Sequence, residues 1–113
     1  MRLELVARRH KTSATEAVFP ADFFGEGKPL DFEAMMRQAH SVLSRIPRGE
    51  NLEVFVTGFT PALTTVVAWA EAHHRPLVLL HYDKQSGSYV AQRMQCDKDF
   101  DLLVEAGYEG YCC

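Results

Sequence analysis

This 113-residue chain lacks an excess of basic charge, a long uninterrupted hydrophobic run and a cysteine framework. Its 12 Lys and Arg stand against 15 Asp and Glu, a net charge of −3. Proteins that coat long nucleic acids or membrane surfaces usually carry surplus base, so a charged ligand here should be small and held locally. The three cysteines, Cys96, Cys112 and Cys113, form no framework, and the adjacent pair would close only under strain. A reducing cytoplasm is the expected compartment. Residues 54–70 carry no charge, but Gly58, Pro61 and Thr57, Thr60, Thr64 and Thr65 interrupt them, so no membrane span is expected. The start Met1-Arg2-Leu3-Glu4 lacks the apolar stretch of a signal peptide. Neither G-x-G-x-x-G nor G-x-x-x-x-G-K-S/T occurs, and there is no internal repeat. His73-His74 has no further ligands at metal spacing and reads as a solvated helix end, so neither metal nor cofactor is expected.

What is present is an ordinary globular composition, 47% hydrophobic and 24% charged, on a chain long enough for one domain over residues 1–113 with a real core. The organising stretch is Val54-Phe55-Val56-Thr57-Gly58-Phe59-Thr60-Pro61-Ala62-Leu63. Asn51 to Val56 has the β-branched and aromatic content of a buried strand. Pro61 suits the first turn of a helix, and Leu63, Val66, Val67 and Ala70 then recur at helical spacing. A strand, a Thr-Gly turn and a helix N-terminus bring free N–H groups, a positive dipole end and the Thr57 and Thr60 hydroxyls together. Such a place suits an anion, most often phosphate.

Around it, Arg2 to Ala7 alternates as a strand and ends in the basic run Arg8-Arg9-His10-Lys11-Thr12-Ser13. Ala14 to Leu30 reads as loop with at most a short helical turn, its Phe19, Phe23 and Phe24 tucked against the core. Asp31 is a natural N-cap for a helix bearing Phe32, Met35, Met36, Ala39, Val42, Leu43 and Ile46 as one stripe, stopped by Pro47. Pro76 to His81 is a continuous apolar run, as in a covered parallel strand. Tyr82 to Gly87 turns the chain, and Ser88 to Met94 returns as a hairpin arm. Asp99 to Ala106 reads as a last short helix ended by Gly107. The order β-α-β-α-β-β predicts an α/β three-layer sandwich, its sheet mainly parallel with an antiparallel edge hairpin.

Open parallel sheets bind ligands beyond the carboxyl ends of their strands. The expected strand ends carry Arg8 to Ser13, Thr57 to Thr60 and His81-Tyr82-Asp83-Lys84. Arg8, Arg9 and Lys11 suit phosphate oxygens, Thr57, Gly58, Phe59 and Thr60 add a donor-rich turn, and Tyr82 suits a base. His10 and His81 suit proton transfer, although a lone His in an apolar strand, as His81 is, more often ends as a satisfied core histidine. Arg8 and Arg9 also fit a plain surface role.

The Thr57-Gly58-Phe59-Thr60-Pro61 turn, with Leu80-His81-Tyr82-Asp83 and Gly87 in the hairpin, resembles the core of CRISPR-associated Rossmann-fold (CARF) domains over residues 51–94. That resemblance implies a Rossmann-like fold and a homodimer binding a cyclic oligoadenylate across its two-fold axis. Small members of the family include ring nucleases that cut this messenger without metal. Phe59 stands where the family has a second Gly, and Pro61 where it has a basic residue, which leaves Arg8, Arg9 or Lys11 to supply the phosphate partner. Carried onto this chain, His10, Arg9 and Thr60 form the expected catalytic set; Arg8, Lys11, Thr12, Ser13, Thr57, Gly58, Phe59, His81, Tyr82 and Asp83 form the expected binding set. The competing reading is a non-enzymatic regulatory or protein-interaction module, encoded on a mobile element, with Arg8 to Lys11 as a surface patch and the Phe19–Phe24 loop as an interface.

Overall fold

The computed structural model describes residues 1–8 and 11–94. The predicted helix over Asp99–Ala106 and all three cysteines lie outside them, as do Arg9 and His10. Seven elements follow in order: β1 (Arg2–Val6), β2 (Glu16–Phe19), α1 (Phe32–Leu43), β3 (Leu52–Phe55), α2 (Thr60–Ala72), β4 (Leu77–Asp83) and β5 (Ser88–Arg93). They build a five-stranded sheet in the order β2-β1-β3-β4-β5. The first four strands in that order run parallel, and β5 returns antiparallel to β4. This is a small Rossmann-like α/β fold with an antiparallel edge hairpin.

Side-chain alternation sorts the strands into two faces. Leu3, Val54 and Leu79 stand in register across β1, β3 and β4 and are fully or almost fully buried. They meet Met35, Ala39 and Leu43 of α1 and Ala62, Val66, Trp69 and Ala70 of α2 in one core. The alternate row, Glu4, Phe55, Leu80 and Ala91, faces the other way. The chain passes from β2 to β3 to β4 in one direction across the sheet, so right-handed crossovers carry α1 and α2 to the same side. There they touch: the Trp69 indole N–H donates to His40 Nδ1 at 3.0 Å, and the ring of His73, the C-cap of α2, lies 5.4 Å from that of His40.

α1 starts where Asp31 caps it, Oδ1 accepting from the Ala34 amide at 3.0 Å. It ends at Leu43, one turn before Pro47, and Ile46 reaches the core from beyond the helix. Phe32 and Met36, placed on the buried stripe by spacing, are exposed. At its far end α2 closes with Arg75 N–H on the Ala70 carbonyl and His74 N–H on the Glu71 carbonyl, with His74 left-handed at φ 52°.

The segment read as loop over Ala14–Leu30 contains β2, which corrects that expectation. Glu16-Ala17-Val18-Phe19 is too short for a periodic signal, and pairing with β1 decides its conformation. A parallel neighbour usually needs a crossover of roughly a dozen residues or more. Among the described residues of this connection there is no helix, and residues 11–15 run back along β1, Thr12 reaching Glu4 and the Thr15 N–H reaching the Arg2 carbonyl. The hairpin is also longer than expected: β4 continues through Tyr82 and Asp83, so the turn begins at Lys84.

Candidate functional site

The central strand β3 leaves the sheet through Thr57 and Gly58, and α2 begins at Thr60. Gly58 has φ 74°, in the left-handed region that side chains disfavour. A Cβ there would meet nothing within 4 Å, so the requirement is conformational and leaves open space above the turn. The N-cap is Phe59, extended at φ −165°, and its side chain accepts no hydrogen bond from the first-turn N–H groups. Pro61 has no N–H to satisfy. Among the described residues no side chain caps the amino end of α2, where the Phe59 carbonyl accepts from Ala62 and Leu63 and the Thr60 N–H is left over, and its dipole points to the carboxyl edge of the sheet. Phe59 instead packs on Phe24 at 4.4 Å, joining the Phe19–Phe23–Phe24 cluster, so these aromatics do pack on the core.

Thr57 is not available to a ligand. It is buried, and its hydroxyl accepts from the Val6 N–H and donates to the Val6 carbonyl, both at 3.1 Å. The side chain thereby continues the β1–β3 ladder past the last strand residue. Thr60, in contrast, is exposed as the first residue of α2.

The basic run divides. Arg8 stays at the carboxyl end of β1, exposed and left-handed at φ 61°, its backbone N–H donating to Glu4 Oε2 at 3.2 Å. Lys11, Thr12 and Ser13 are carried back over the open face of the sheet. Thr12 Oγ1 donates to Glu4 Oε1 at 2.8 Å, and Ser13 Oγ accepts from Arg2 Nη1 at 3.1 Å. These three residues edge a depression of about 740 Å³ floored by Phe55, Leu80 and Tyr89, with Arg2 on its wall. Arg2 is already engaged, 3.5 Å from Glu53 Oε2 and 5.9 Å above the Phe55 ring. Glu4, which spacing marked only as the polar partner in an alternating strand, holds both Arg8 and Thr12.

On β4, His81 and Tyr82 point to opposite faces. His81 Nε2 lies 2.6 Å from Gln92 Oε1 and donates to it, since an amide oxygen only accepts. Tyr82 is 56% exposed and meets Tyr89 edge-on at 5.5 Å. The Asp83 carboxylate accepts from the Gln85 N–H at 3.2 Å and shapes the hairpin turn.

The carboxyl edge thus gathers Arg8, Gly58, Phe59 and Thr60, with His81, Tyr82 and Asp83 on the projecting arm. Thr57 is withdrawn into the sheet, and Lys11, Thr12 and Ser13 are displaced to its open face. Among the described residues no group of three or more His, Cys, Asp or Glu could hold a metal, and no helix is long and apolar enough to cross a membrane. Neither a family model, nor a curated protein, nor a solved structure matches the chain.

Proposed function

We propose that the protein binds a small cyclic nucleotide, a cyclic oligoadenylate, at the carboxyl edge of its sheet, as a homodimer with the ligand across the two-fold axis. One observation carries this reading: the helix that follows the central strand begins without a side-chain cap, behind a left-handed glycine that leaves space above the turn. A phosphate there accepts from the Thr60 N–H, the first-turn amide left over once Ala62 and Leu63 donate to the Phe59 carbonyl, and meets the dipole, while Arg8 supplies full charge from the neighbouring strand end. Exposed Tyr82 offers a ring face to a base. The resemblance to CARF domains names the adenylate.

Ring opening is the chemistry this site would support. A ribose 2′-oxygen attacks the adjacent phosphorus in line and the bond to the 5′-oxygen breaks. That oxygen leaves with a proton, and the product ends in a 2′,3′-cyclic phosphate. Thr60 and Arg9 would balance the phosphorane charge and His10 would move the proton, with positioning supplying much of the rate.

The test is incubation with cyclic tri-, tetra- and hexa-adenylate in EDTA. Linear fragments ending in 2′,3′-cyclic phosphate support cleavage. Intact rings that co-elute with the protein support binding alone, and intact rings that do not bind overturn the proposal. In that event the interaction-module reading stands, favoured by Phe32 and Met36, which share one exposed face of α1.

A further inference from the structure

The two edges of the sheet are protected to different degrees. β2 spans only Glu16–Phe19, and the Val18 carbonyl, which alternation turns away from β1, accepts from Gln38 Nε2 of α1 at 3.0 Å. β5 spans Ser88–Arg93 and pairs with β4 without a break, from Ser88 opposite Asp83 to Arg93 opposite Val78. It holds none of the devices that usually blunt an edge: no lysine, no proline and no bulge. Ser88, Val90, Ala91 and Arg93 are all exposed.

The hydrogen-bond phase of β5 follows from its neighbour. Met94 N–H donates to the Leu77 carbonyl at 2.8 Å, and alternation along an antiparallel ladder then turns the backbone of Ser88, Val90 and Gln92 toward β4. The N–H and C=O groups of Tyr89, Ala91 and Arg93 point the other way, out of the sheet, and make no hydrogen bond among the described residues. This outward set is symmetric about Ala91. A two-fold axis through Ala91, perpendicular to the sheet, sets Ala91 against its own copy and Tyr89 against Arg93 of the second copy. Each of these pairs is in the phase that exchanges both N–H···O bonds. On the open face each Arg93, which has no ion pair among the described residues, then lies across from a Tyr89 ring, a pairing that cations and aromatic faces favour. On the other face Val90 comes beside Gln92 of the second copy and loses water contact. An axis through Val90 instead leaves Arg93 opposite the turn at Gly87.

We propose that β5 is a self-association edge, at which two copies of this chain pair antiparallel about Ala91 and join their five-stranded sheets into one. A second copy is the occupant because its own register complements all three outward residues at once. The carboxyl edges of the two copies point in opposite directions in this pair. The contact is therefore separate from the two-fold of the nucleotide reading and does not depend on it.

Sedimentation equilibrium of the ligand-free protein tests it. Between about 10 and 500 µM the parent should pass from monomer toward dimer, the range expected of a small interface. Ala91→Pro removes an N–H that faces away from β4, a place where edge strands accept proline, and should weaken the dimer about tenfold or more in a protein that melts as before. A cysteine check does not rely on that variant. In a chain with Cys96, Cys112 and Cys113 changed to Ser, Ala91→Cys places two Cα atoms about 5.5 Å apart and should give a disulfide-linked dimer on mild oxidation. Val90→Cys, two positions out of step with its copy, should not. A monomer throughout the range, a dimer indifferent to Ala91→Pro, or faster crosslinking through Val90→Cys than through Ala91→Cys would each overturn the proposal.

Discussion

The Thr57 hydroxyl and the backbone of Val6 satisfy one another completely: one oxygen accepts from the amide and donates to the carbonyl, across 51 positions of sequence. Thr57→Val keeps the side-chain shape but strands two buried backbone groups, so it should cost about 1–3 kcal/mol. Thr57→Ser should recover most of that. Thr60→Ala, on the exposed first residue of α2, should change stability by less than about 0.5 kcal/mol while weakening cyclic adenylate binding. Urea midpoints for the three variants separate the roles, and a Thr57→Val protein as stable as the parent contradicts the assignment.

Gly58 tests the turn itself. Ala at φ 74° meets no neighbour, so its penalty is the left-handed backbone alone, about 1–2 kcal/mol. Asn tolerates that region better and should lose less. Equal losses for Gly58→Ala and Gly58→Asn would point to crowding instead.

His74 presents the opposite case, a side chain where a helix end favours glycine. His74→Gly should stabilise the protein by about 0.5–1 kcal/mol, the relief of left-handed strain less the added entropy of the unfolded chain. An unchanged or lower melting temperature shows that the imidazole makes a compensating contact.

Glu4 holds the β1–β2 connection through Thr12 and the Arg8 amide. Glu4→Ala should leave the global unfolding midpoint close to that of the parent but speed trypsin cleavage after Lys11 several-fold, because local opening of that segment becomes easier. Unaltered cleavage means the loop is held by its other bonds, such as Thr15 N–H to the Arg2 carbonyl.

Much of the framework was readable from local chemistry. Asp31 before a helical stripe, Pro61 inside the first turn of α2, the apolar run at Leu77–Leu80 and Gly87 in a hairpin each act within a few residues, and each appears where its chemistry requires. The errors share one cause, the influence of a distant neighbour. Val18 and Phe19 become a strand because β1 lies beside them. Thr57 turns inward because Val6, far away in sequence, has unpaired backbone groups at the same height. Thr12 and Ser13 leave the carboxyl edge because the return from β1 to β2 retraces the strand. The interior position of Arg75 had no sequence signal at all, since its carbonyl partners come from the loop after α1.

The strand order also has a consequence for synthesis. β1 leaves the ribosome before the other strands of this sheet, yet it lies inside the sheet, with β3 on one side and β2 on the other. β2 follows soon after, but the ladder to β3 and the Val6–Thr57 bonds must wait until the chain has emerged as far as Leu52 to Thr57. Until then a β1–β2 pair, too small to be stable alone, exposes Leu3 and Leu5 along an open edge. Nascent chains stalled just short of Leu52 should therefore recruit chaperones, and those stalled after β4 should not.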